Sequence, residues 1–409
     1  MSSDPLTFIG ETNWRDMRKA FGSRPADRRA HMFLIGKTGV GKSSLMEAMI
    51  RQDVLAGHGL ALFDPHGDLV ERVNAWMPES RKRDLIYLNV PDPAQPFGFN
   101  PLQGVPPLRR SLAANGIVEA LKKLFDDAWG ARLEYILRTA LLLLLEQPEA
   151  TLADVFRLFH EKEFRTAAAE RTTNEHVRRF WTVEFEKYGK ERASAITPIE
   201  NKLGSFLIDP FVSRILTART STFDPRQAID GGKVLLVNLA KGKIGEAPAQ
   251  LFGGLLVTAL GLAALSRADT PEDDRRDFFI YLDEFQTFTT LALADMMAEL
   301  RKYHCNLILS NQYLDQLDPE LRSAILGNAG TLIVFRVGAV DAARLVKELR
   351  PDLEPYDLTL LPNRAFWIRP LVNGESVEAF TGRTLSLTHL NDRSADRGVA
   401  RSPSPPASA

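Results

Sequence analysis

The sequence predicts an α/β fold, a mainly parallel sheet with an all-α domain inserted into it, and three observations carry that prediction. Short unbroken apolar runs stand at wide intervals with helical periodicity between them. The strand signal disappears between about 107 and 218, where only helical periodicity remains. Near residue 36 a glycine-rich loop joins an apolar run to a helical pattern, the arrangement of a strand feeding a helix through a phosphate-binding turn.

In chain order the apolar runs are "MFLI" (32–35), "LALF" (60–63), "LIYL" (85–88), "VLLVNL" (234–239), "FFIYL" (278–282), "NLILS" (306–310), "TLIVF" (331–335) and "FWIRP" (366–370). Runs without polar alternation, separated by helices, read as parallel strands covered on both faces. Residues 1–30 form a segment packing on this core, and 31–106 and 219–385 supply its two parts. In 107–218, Ile117, Leu121, Leu124, Phe125 and Ala128 make one apolar helical stripe, and Leu133, Ile136, Leu137, Ala140, Leu141 and Leu144 make another. "TPIE" (197–200) has the form of a capping box, with Thr197 as cap and Pro198 in the first helical position. The tail 386–409 is rich in Ser, Pro and Arg, too poor in apolar residues to offset its ordering entropy, and reads as disordered.

With 44% hydrophobic and 25% charged residues among 409, the chain is globular material with a large core. A net charge of -1 gives no global polybasic signal, so any nucleic-acid contact must come from a local lining. The basic runs are "RKRD" (81–84), "RR" (109–110), "KK" (122–123), "VRRFW" (177–181) and "EKYGKER" (186–192), each of which alone reads as a solvated helix face. The single cysteine, Cys305, lies in an apolar stretch and reads as a buried thiol of a reducing cytoplasm. "ALLLLL" (140–145) and "LFGGLLVTALGLAAL" (251–265) both fall short of the roughly 18 to 20 residues a membrane span needs, so the expectation is a cytoplasmic protein with no span.

"GKTGVGKS" (36–43) matches the P-loop pattern G-x-x-x-x-G-K-[ST]. Gly36, Lys37, Thr38, Gly39, Val40 and Gly41 turn backbone N–H groups toward phosphate. Lys42 neutralises its charge, the Ser43 hydroxyl ligates Mg2+, and Ser44 continues the cradle into the helix. ATP with Mg2+ is the ligand this chemistry fits. "FFIYLDEF" ends a strand in Asp283 and Glu284: the first acid holds magnesium through water, and the second polarises the attacking water, which points to hydrolysis. The long separation of these acids from Ser43 is what an inserted domain produces. Asn311 and Gln312 end the next strand, where an amide can sense the γ-phosphate or the attacking water. Arg301 and Arg336 are candidates to complete a neighbouring subunit's site.

"LFDPHGDLV" (62–70) sets His66 between Asp64 and Asp68, with turn formers Pro65 and Gly67 interleaved. A metal site needs more ligands than this trio supplies. Following the strand after the P-loop helix, the stretch belongs at the carboxyl end of the sheet. Asp64 and His66 are expected to support the magnesium and phosphate region from behind or to touch an adjacent subunit.

Together these stretches, with "FGFNPL", "WGARLEYILRTALLLLLE" and "ILGNAGTLIVFRVGAVDAARL", resemble the HerA/FtsK branch of P-loop ATPases, closest to soluble TraD/TraG-like type IV secretion coupling ATPases. The resemblance implies a RecA-like motor domain with an inserted all-α domain and an ATP-driven homo-hexameric ring that moves DNA. In it Lys42 and Ser43 match the Walker A pair, Asp283 and Glu284 match Walker B, and Gln312 matches the sensor glutamine. It also implies a relaxase or a secretion channel as partner. The coupling proteins usually begin with transmembrane helices, and none is seen here. A second reading is therefore a motor subunit paired with a separate nuclease or effector in end processing or phage defence. A third is a nucleotide-switched scaffold without sustained turnover, against which Glu284 argues.

Overall fold

The computed structural model describes residues 6–13, 18–94, 97–125, 129–288, 291–350 and 352–386, with backbone alone for 291–295. Ala128 of the first apolar stripe and, apart from residue 386, the tail lie outside the described residues. Numbered along the chain, the strands are β1 Thr7–Thr12, β2 Ala20–Ser23, β3 Met32–Ile35, β4 Gly59–Asp64, β5 Leu85–Asn89, β6 Val234–Asn238, β7 Phe278–Leu282, β8 Cys305–Asn311, β9 Thr331–Val334, β10 Ala365–Arg369, β11 Leu371–Val372, β12 Glu375–Ser376 and β13 Phe380–Thr384. The eight apolar runs of the sequence coincide with β3 to β10, their edges shifted by a residue or so. The chain divides into two compact units: one formed by 1–57, 308–316 and 329–409, the other by 58–307 and 317–328.

In the first unit the strand order is β2-β1-β13-β10-β9-β3-β8. The P-loop strand β3 is parallel to β9 on one side and to the end of β8 on the other. From β9 outward the pairing is antiparallel, so "FWIRP" is not a parallel strand as its apolar run suggested. For the β10–β13 pair the reason is length, since a parallel return needs a long crossover and the chain there turns back over a short β11–β12 hairpin; the β9–β10 link, 335–364 with two helices, is long enough for either direction. Strands β1, β2 and β13 were missed because "TFIGET", "AFGS" and "FTGRT" are half polar, as suits strands toward a sheet edge. Residues 1–30 thus contribute a hairpin to the sheet.

The helix Lys42–Ala56 is stitched to that hairpin by polar groups. Gln52 both donates to the Phe8 carbonyl and accepts its N–H, standing in for a strand neighbour. Arg28 forks onto Asp53 at 2.6 and 2.8 Å and donates to Thr7 Oγ1, with both charged side chains fully buried.

In the second unit β7-β4-β6-β5 is wholly parallel. Every residue of β4, β6 and β7 is buried, which is why these strands show no polar alternation. From 107 to 218 the described residues form helices joined by turns and irregular links, with no strand among them, and the stripe on the helix Ala131–Leu144 is buried as expected. Asn100 of "FGFNPL" braces the connection after β5, donating to the Ala150 and Arg219 carbonyls and accepting the Leu102 N–H.

Thr197 is not a helix cap. It lies within the helix Arg192–Ile208, with Pro198 inside the same helix, and its hydroxyl donates to the Ala193 carbonyl one turn back. This side-chain bond mimics an ordinary helical contact, so the same letters serve in a helix interior.

The helix Glu246–Ser266 is longer than its apolar run. The stretch 246–269 is long and apolar enough to cross a membrane, yet 72% of its most apolar window is buried inside the protein, as in a core helix. Cys305 is buried, and desolvation pushes its thiol up to about 12. The basic runs are partly spent internally. Arg81 donates to the His58 and Gly232 carbonyls and to Asp84, Arg109 to the Leu265 carbonyl, and Arg178 to the Ala169 and Thr172 carbonyls.

Candidate active site

The first unit holds the glycine loop. Gly39 and Gly41 take φ of 77° and 117°, left-handed values that turn successive N–H groups the same way, and Gly41 caps the helix that starts at Lys42. Gly36 is glycine because of packing: a Cβ there would sit 2.6 Å from Phe335 Cβ. The loop is anchored at its start, where the Gly36 N–H donates to the Asn311 carbonyl and the Lys37 N–H to the Arg336 carbonyl. Lys37, Thr38, Gly39 and Ser44 are exposed, Val40 is buried, and Ser43 is half-buried. Lys42 is buried, and its ammonium donates to the Gly36 and Lys37 carbonyls, reaching back to the start of the loop. Left-handed glycines, a helix N-terminus and one cation fit a phosphate chain, with the Gly36 and Lys37 N–H groups used to anchor the loop rather than to face phosphate as the sequence suggested.

Asn311 and Gln312 lie beside this loop, because Ile35 and Asn311 are partners in the β3–β8 register. The Asn311 amide is used locally, donating to the Tyr313 carbonyl and accepting the Gln312 N–H. Arg336 fastens its own unit, donating to the Leu361 carbonyl at 3.1 Å and to Asn363 Oδ1 at 2.8 Å.

The second unit holds an acidic cluster at the carboxyl ends of β4, β6 and β7. Asp64, buried at the end of β4, accepts the His66 N–H on one oxygen and the Leu69 and Val70 N–H groups on the other. It therefore caps the helix Asp68–Trp76. Gly67, at φ 89°, is required in this turn, since a Cβ would lie 2.7 Å from Asn238 Oδ1. The turn aims His66 at Glu284: Nε2 to Oε1 is 3.0 Å. Lys241, whose N–H donates to the Pro65 carbonyl, brings Nζ within 3.1 Å of the other Glu284 oxygen. Asp283 is buried and accepts the Glu284 N–H, and Glu284 itself is left-handed at φ 45°. Burial pushes the Glu284 carboxyl up, but the hydrogen bonds and charges of His66 and Lys241 outweigh it, and the net shift is downward. The carboxylate is thus ionised and held at both oxygens.

The structure separates what the sequence grouped. Asp64 is a structural cap, whereas His66 meets the candidate base. Among the described residues no group of three or more His, Cys, Asp and Glu side chains could hold a metal. Arg301 is exposed just before β8. His304, whose N–H it accepts, pairs with Phe278 at the start of β7, the end opposite Glu284, so Arg301 is not part of that cluster. Lys241 was missed: "AKGKIG" looks like an ordinary polar turn, and only the β4–β6 pairing delivers the lysine to Glu284.

A glycine loop leading from a parallel strand into a helix, within a mainly parallel α/β fold, is the fold of the RecA-like P-loop ATPases. Solved structures similar in fold include the bacterial conjugative coupling protein TrwBdeltaN70, unbound, at 17% identity with a TM-score of 0.66, covering 94% of this chain and 89% of that one. TrwB with the ATP analogue ADPNP gives 17% and 0.64 over 94% and 96%, and TrwB has also been solved with ADP and Mg2+. VirB4 of Thermoanaerobacter pseudethanolicus gives 13% and 0.63 over 95% and 98%. No family model and no curated protein matches the chain.

Proposed function

We propose that the chain is an ATP-hydrolysing motor that translocates DNA, working as a homo-hexameric ring in conjugative transfer or related mobile-element handling. The observation that carries this reading is the phosphate cradle at 36–43, closed by Lys42, in a fold shared with TrwB and VirB4. TrwB structures with ADPNP, and with ADP and Mg2+, support the choice of ligand.

In this reading Lys42 neutralises the β- and γ-phosphates, Ser43 ligates Mg2+ and Asp283 holds it through water. Glu284 polarises the attacking water, and Gln312 senses the γ-phosphate. Residues 107–218 form the inserted all-α domain. Arg336, tied to Leu361 and Asn363, serves its own unit, so exposed Arg301 is the stronger candidate to reach a neighbouring subunit.

The test is phosphate release by the purified protein with and without single- and double-stranded DNA. Turnover stimulated by DNA is expected. Lys42→Ala should abolish nucleotide binding, whereas Glu284→Gln should retain binding and lose turnover by about 100-fold or more. Nucleotide binding with no turnover in any DNA would return the chain to a nucleotide-switched scaffold.

A further inference from the structure

The loop 361–364, which the sequence reading did not single out, is built against the phosphate cradle. Arg364 has φ 69°, a left-handed conformation that glycine or asparagine would adopt at lower cost. It is pinned there from both sides: its N–H donates to the Val40 carbonyl at 2.8 Å, and its carbonyl accepts the Thr384 N–H at 2.9 Å. Arg336 clamps the preceding residues through Leu361 and Asn363. A Cβ built on Gly41 would stand 3.5 Å from both Cα and Cγ of Arg364, so the arginine stem lies against the last glycine of the cradle.

The side chain is exposed, and its guanidinium has no hydrogen bond or ion pair among the described residues. A strained backbone held on all sides and presenting an uncommitted fork of donors marks a contact kept for a ligand. We propose that Arg364 is a second cationic ligand of the nucleotide, pairing with the phosphates that ATP and ADP share; the proposal rests on the ATPase reading above. Lys42 folds over Gly36 and Lys37, the end of a P-loop from which a lysine reaches the β- and γ-phosphates. Arg364 stands at the other end, by Gly41. Its contribution is therefore common to ATP and ADP. It acts on nucleotide retention and leaves the chemical step alone.

The experiment is calorimetric titration of the full chain with ADP, alongside steady-state turnover of ATP. Arg364→Ala and Arg364→Gly should each raise the ADP Kd and the KM for ATP about tenfold while kcat stays within about twofold. Arg364→Lys should fall between them and wild type, because it keeps the charge and loses the fork. Arg364→Gly relieves the backbone strain, so its urea midpoint should be no lower than that of wild type. Weakened binding in this variant is then not a folding defect. Wild-type ADP binding with unchanged Kd in both variants overturns the proposal alone, as does a kcat loss at constant Kd. Wild-type protein that binds no ADP overturns the ATPase reading, and this one with it.

Discussion

His66 Nε2 lies 3.0 Å from Glu284 Oε1, while Lys241 takes the opposite oxygen. The two contacts hold the Glu284 carboxyl below its usual range despite burial. A base kept ionised by its neighbours works down to lower pH than an isolated one. His66→Ala and Lys241→Met should therefore each move the acid limb of the turnover–pH profile upward, toward ordinary glutamate. Stability follows the same sign. A depressed carboxylate adds stability above its unfolded value and loses it as pH falls through the folded value. Lys241→Met should thus narrow the gap in urea midpoint between neutral and acid pH. An acid limb that does not move in either variant rules this coupling out.

Asp64 accepts three backbone N–H groups at the start of the helix Asp68–Trp76. Asp64→Ala should cost about 1 to 3 kcal/mol, read from urea unfolding, because the orphaned donors stay buried. ADP binding, measured below the unfolding midpoint, should persist. The expectation from sequence is the alternative outcome, that Asp64 supports the phosphate region. A variant of native stability that fails to bind nucleotide would bear it out.

What the sequence could tell divides along physical lines. Buried parallel strands such as β4 and β7 are legible because both faces are apolar, and the P-loop is legible because its glycines sit at fixed spacing. The antiparallel rim of β1, β2 and β13 is not, since half-polar runs like "AFGS" resemble loops. Lys241 was hidden for a different reason. Its partner Glu284 is remote in sequence, and only strand order joins them. Arg364 was hidden because nothing in "LPNRAFW" announces a left-handed arginine.

Arg28 and Asp53 form a forked ion pair with no solvent exposure. Removing one partner leaves the other charged and buried, so Asp53→Ala should cost about 3 to 5 kcal/mol in urea unfolding. The double change Arg28→Met with Asp53→Leu should recover most of that loss, because an apolar pair of similar volume carries no desolvation cost. Equal destabilisation of the single and double variants would show that hydrogen bonding to Thr7, and not charge, carries the effect.

Pro198 sits inside the helix Arg192–Ile208, and Thr197 donates to the Ala193 carbonyl. A proline within a helix removes one backbone donor and crowds the carbonyl four residues earlier, here that of Ser194. Pro198→Ala should restore the donor and raise stability by about 1 to 3 kcal/mol, measured as a higher urea midpoint. Thr197→Ala should change little, since its hydroxyl only shares a carbonyl with the helix. If Thr197 instead capped a helix beginning at Pro198, the pattern would invert: Thr197→Ala would cost about 1 kcal/mol and Pro198→Ala would gain nothing. The pair of variants decides between an unbroken helix and a helix start at this point in the chain.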